Sequence, residues 1–174
     1  MVGKMKLTRS ICAALLLLVT TTTGCIYTVA TNPDEFPLVL NELETLPAGT
    51  KVEIVNNYHP RYFTRLDRRK VDMHQMTQTA VIVLGRALEN RGALLAPGGK
   101  QITLEVAAPG FVQGYGGYYS RNTLSLVAYF GSTKIATWGE HSGTNGGSNF
   151  SAAITQAVEE LLRKREVFDY LSKP

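Results

Sequence analysis

Cysteine is scarce in this chain of 174 residues, with only Cys12 and Cys25, both near the N-terminus. A disulfide framework is therefore excluded for everything after residue 25. Long hydrophobic runs are missing as well. The longest, Ile11 to Val19, would span only about 14 Å as a helix at ~1.5 Å per residue, against the roughly 20 residues that a transmembrane helix needs. Charge of one sign is also in short supply. The formal net charge is +4, but Lys4, Lys6 and Arg9 supply three of the positive charges, and without them 15 basic residues face 14 acidic ones. Overall basicity thus gives no argument for a polyanionic partner.

The motifs of common enzymes are absent too. There is no G-x-S-x-G, H-E-x-x-H, C-x-x-C or Walker loop. The glycine-rich stretch from Gly143 to Ser148 lacks the lysine of a phosphate cradle. His59, His74 and His141 are far apart and lack i,i+4 partners, so the spacing supports no metal site. A hydrolase built on Glu140, His141 and a loop serine has no spacing behind it. These observations lead us to expect no enzyme, no catalytic residues, no cofactor, no metal and no small-molecule substrate.

What is present begins with the leader. A basic stretch, the apolar run Ile11 to Val19 and a small polar run ending at Gly24 follow one another in the order of a secretory signal peptide. Thr23 and Gly24 directly before Cys25 resemble the lipobox of bacterial lipoproteins, although Thr22 stands where that pattern usually carries an aliphatic residue. The resemblance implies a signal peptide over 1–24 and diacylglyceryl attached to the Cys25 sulfur. Ile26 after the cysteine, rather than Asp, implies the outer membrane facing the periplasm. The alternative is an ordinary secretory signal that leaves Cys25 as a free thiol. Export makes nucleic acid an unsuitable partner in either case.

The remaining residues suit one domain. Residues 25–37, polar and containing Pro33 and Pro37, read as a lipidated N-terminus and tether, and 38–174 as a single α+β domain. Alternation predicts strands over Lys51–Asn56, Gln101–Ala107, Thr123–Phe130 and Thr133–His141, with Gly131-Ser132 as a type II′ turn. Three- and four-residue spacing from Met73 predicts a helix capped by Asp72 and ended by Gly92, and a second helix begins after Ser148 or Asn149. The expected architecture is a two-layer sandwich: a four-stranded, mostly antiparallel sheet with two amphipathic helices on one face, in the order β-α-β-β-β-α. That order is similar to the small outer-membrane lipoproteins of envelope biogenesis, including the lipopolysaccharide-assembly family. The resemblance implies a lipid-anchored assembly or transport role.

Three segments are candidate sites. The expected loop Asn57–Lys70 carries Arg61, Arg65, Arg68 and Arg69 beside aromatic residues, a composition able to contact an anionic envelope component such as a glycolipid. The stretch Gly110–Tyr119 offers Tyr115, Tyr118 and Tyr119 among glycines, suited to glycan or protein recognition. Trp138 and Tyr129 fall on the sheet face opposite Leu124 and Leu126. That face is either open to a partner or covered by the segment around Phe36, Leu38 and Leu40. The function expected is noncatalytic binding of a partner protein or anionic envelope component in support of assembly or transport. The alternative is a glycan- or peptidoglycan-binding module that uses the Tyr/Gly-rich loop.

Overall fold

The computed structural model describes residues 27–38, 43–66, 69–114, 119–144 and 146–173. The leader, Cys25, Leu40, Arg68, Tyr115 and Tyr118 lie outside them. The fold is α+β. Its larger sheet has five strands in the order β5-β2-β6-β7-β8, made of β2 (Lys51–Asn56), β5 (Leu94–Leu95), β6 (Lys100–Gln113), β7 (Ser120–Phe130) and β8 (Thr133–Gly143). A smaller sheet orders β1 (Tyr27–Val29), β4 (Arg69–Asp72) and β3 (Phe63–Leu66) as β1-β4-β3. The helices described are α1 (Met73–Asn90), α2 (Gly146–Leu162) and α3 (Arg165–Ser172).

Several local expectations hold. The Asp72 carboxylate accepts from the Gln75 N–H at 3.0 Å and caps α1. At the other end the Gly92 and Ala93 N–H groups return to the carbonyls of Glu89 and Leu88, which closes the helix with a Schellman motif. Gly131 has φ +60° while Ser132 keeps negative φ, the type II′ geometry that only a residue without Cβ adopts cheaply at the first position. The hairpin registers Phe130 with Thr133 and Leu126 with Thr137. Buried Val52, Ile102, Leu104, Leu124 and Leu126 face Met76, Ala80 and Leu84 of α1 and Ile154, Val158 and Leu161 of α2 in one core.

Other expectations need correction. The sheet has five strands rather than four, and although its longest pairings are antiparallel as expected, one side of it is parallel. β2 pairs parallel with both β5 and β6, while β6-β7-β8 is antiparallel. The cause is the crossover through α1, which returns the chain to the same end of the sheet. β6 continues past Ala107 because a bulge between Ala107 and Gly110 accommodates Pro109, which has no N–H to give a ladder. The last helix is two, broken at Arg163 and Lys164. α2 already begins at Gly146, so Asn149 lies inside it and does not cap it. Instead its amide nitrogen donates to the Ser120 carbonyl and hydroxyl and to the Gly143 carbonyl, fastening the open end of the β7–β8 hairpin.

The segment expected to be a tether is seated on the domain. β1 pairs parallel with β4, the Thr31 and Thr79 hydroxyls meet at 2.7 Å, Asn32 N–H donates to Ser151, and Asp34 pairs with Arg86. Phe36 packs against His141. Phe36 thus lies on the helix side, and among the described residues it does not cover the Trp138 face.

α2 sits very close to β8. A methyl placed on Gly139 would come within 2.7 Å of the Ala153 carbonyl carbon and overlap its oxygen, so glycine is required for this approach. Thr137 reinforces the contact by donating its hydroxyl to the Ala157 carbonyl at 2.8 Å.

Candidate functional site

Strand alternation sets the back face of the larger sheet. Because Leu124, Leu126 and Ala128 turn toward the helices, Ser125, Val127 and Tyr129 turn away, joined by Lys134, Ala136, Trp138 and Glu140 of β8. Trp138 is 48% exposed, an unusual state for the chain's one tryptophan in the middle of a long strand. Tyr129 is half-buried, with the Lys134 ammonium 5.7 Å from its ring centre. The two rings do not touch. Trp138 stands opposite Ser125, four positions from Tyr129, which is about 13 Å at ~3.3 Å per residue. Val127 and Ala136 bridge them, so the patch is an apolar row with an aromatic at each end. An Arg121–Glu140 ion pair at 2.6 Å borders it.

The Asn57–Lys70 segment is not simply a loop. It forms the β3–β4 hairpin, which places Phe63, Arg65 and Lys70 on the outward face while Val71 is buried and Leu66 packs on the core. The Lys70 ammonium lies 3.7 Å from the Phe63 ring centre. Arg61 is exposed with φ +67°, in a turn held by the Tyr58–Tyr62 stack at 4.7 Å. Arg69 faces inward and its guanidinium covers the Phe111 ring at 3.6 Å. This contact joins the basic hairpin to the β6–β7 hairpin, two segments that look independent in the sequence. At the end of the latter Tyr119 is 52% exposed.

The expected histidines do not converge. His74 Nδ1 meets the Tyr58 carbonyl at 2.7 Å, His59 is exposed, and His141 packs against Phe36. No group of metal-ligating side chains forms among the described residues. Glu140 and His141 point to opposite faces of β8, so they build no joint site.

Sequence reading missed three polar residues. Tyr58 donates to the Val106 carbonyl at 3.0 Å, and burial, followed by the nearby Glu105, pushes its hydroxyl up to about 12. Lys100 donates to the carbonyls of Tyr170, Leu171 and Lys173 and so closes the C-terminus of α3. Arg91 is buried, with Nε donating to the Glu44 carbonyl at 2.8 Å, and loss of water lowers its pKa. Alternation and helix periodicity carry no signal for such long-range partners. A cavity of about 500 Å³ lies near Arg91, lined by Phe36, Leu38, Val83 and Arg86, and an apolar groove of about 400 Å³ runs between Ile54, Leu95 and Val81. Neither contains an expected site residue.

No protein-family model matches the chain, and no curated protein matches it significantly. Among solved structures, one of an uncharacterized protein is 14% identical, with a TM-score of 0.37 over 70% of this chain and 95% of the other. A minor lipoprotein from Acinetobacter baumannii is 12% identical, with a TM-score of 0.35 over 72% of this chain and 93% of the other. Likenesses of this size carry no argument about function. Among the described residues no helix is long and apolar enough to cross a membrane.

Proposed function

We propose that the chain is a noncatalytic lipoprotein of the bacterial envelope, anchored through Cys25 in the outer membrane and facing the periplasm, that binds a partner protein and assists its assembly or transport. The anchoring rests on the leader and on Thr23-Gly24-Cys25. The observation that carries the binding reading is the row Trp138, Ala136, Val127 and Tyr129 on the back of the sheet, in which Trp138 and Ala136 are exposed, Tyr129 is half-buried and Val127 is buried. A half-exposed tryptophan there adds little to folding and offers the kind of anchor that dominates protein interfaces.

Pull-down of the full-length protein from its native envelope tests this. A defined membrane protein should co-purify with the wild type and disappear with the Trp138→Ala, Tyr129→Ala double variant. Equal recovery with both would reject the sheet face. A second reading, glycan binding, is favoured by exposed Tyr119 and Val112 at the β6–β7 end. It requires saturable binding to purified cell wall that survives the sheet-face substitutions.

A further inference from the structure

We propose that the outward face of the three-stranded sheet, Phe63, Arg65 and Lys70 with neighbouring Arg61, is a seat for anionic phospholipid headgroups, which holds the domain directly against the membrane. The inference rests on the reading that Cys25 is lipidated, and the structure adds where the strand that follows it is seated. β1 starts at Tyr27 and runs parallel to β4, with Tyr27 beside Arg69 and Thr28 beside Lys70. Cys25 precedes β1 by two residues, a length of chain that spans no more than about 7 Å at ~3.6 Å per residue. Acyl chains on its sulfur therefore enter the bilayer within that distance of the start of β1.

The chemistry of the face fits that position. Arg65 and Lys70 are directly opposed across the β3–β4 pair, an arrangement of like charges that is unfavourable in isolation and is relieved by an anionic surface. Among the described residues no ion pair occupies Arg61, Arg65, Arg69 or Lys70. Asp72, the carboxylate at the end of the same face, is engaged in capping α1. Tyr62 at 52% and Phe63 at 37% exposure supply amphipathic rings of the sort found at headgroup level. β3 is a sheet edge, so its outer amides report directly on what lies against it.

The test uses full-length protein extracted from membranes, with intact-mass spectrometry reading the lipid on Cys25. The preparation is reconstituted into vesicles of phosphatidylcholine alone or with phosphatidylglycerol, and hydrogen exchange is followed across 61–66. The expected result is exchange slower by about fivefold or more in the phosphatidylglycerol vesicles, the factor supported by one basic residue near an anionic surface. That difference should vanish in the Arg61→Gln, Arg65→Gln, Lys70→Gln variant. Lipid present with equal exchange in both vesicles overturns the basic seat and leaves the anchor standing. Absence of lipid from Cys25 overturns both.

Discussion

One sheet presents two unlike faces in this protein. Toward the helices, Ile102, Leu104, Leu124 and Leu126 are completely buried, and α2 comes so near that position 139 admits no side chain. On the other side the strands carry Thr103, Glu105, Ser125, Tyr129, Lys134 and Trp138; Asn57 and Tyr58 reach over the Glu105 end, while Lys134 and Trp138 are exposed. Stability is concentrated on the first face, since burial of apolar area is what drives folding. On the second face Trp138 keeps 48% of its surface exposed, apolar area that a contact outside the chain can cover.

Substitutions can break this contrast from either side. The largest effect is expected from Gly139→Ala, because the added methyl collides with the Ala153 backbone and must lift α2 from β8. A loss of about 4 kcal/mol in chemical denaturation is expected, and a loss under about 1 kcal/mol would show that the helix moves freely. Leu126→Ala leaves a cavity in the same core and should cost about 3 kcal/mol by the same measurement.

A third test concerns Tyr58, whose hydroxyl touches Glu105 on the back face. Its pKa is pushed up to about 12, first by burial and then by Glu105, so the folded state favours the protonated phenol. The stabilisation is complete below the ordinary value of about 10 and is lost as pH rises from about 10 to about 12. Thermal melting should therefore fall more steeply in that window for the wild type than for Tyr58→Phe, and parallel curves would deny the linkage. The smallest effect is reserved for Trp138→Ala, which should change stability by less than about 1 kcal/mol. A larger loss, or loss of cooperative melting, would show that Trp138 belongs to a core and would remove it from the proposed interface.

The sequence makes the helix-covered face legible because its signals are periodic and local. Leu124, Leu126 and Ala128 alternate, Met76, Ala80 and Leu84 recur at helical spacing, and Asp72 stands where an N-cap belongs. The α+β class and the four longer strands of the main sheet follow from those signals. What escapes is nonlocal or brief. β5 has only two residues, too few for any alternation. β3 and β4 are hidden by aromatic and basic residues that read as loop composition, and β1 by its partner lying in register 42 positions away. The inward turn of Arg69 onto Phe111 is equally invisible, since an arginine in a basic run looks solvent-facing until its strand register is known. The exposure of Trp138 is half legible: alternation assigns its face, but whether another segment covers that face is decided only in three dimensions.

The parallel pairing of β1 with β4 also has a consequence in time. Tyr27 leaves the ribosome well before Arg69, the residue it pairs with 42 positions later. Loop-closure entropy and the long sequence separation place this pairing late relative to the neighbouring hairpins β6–β7 and β7–β8, whose contacts are local. β1 is thus the first strand to be synthesised and among the last to be paired.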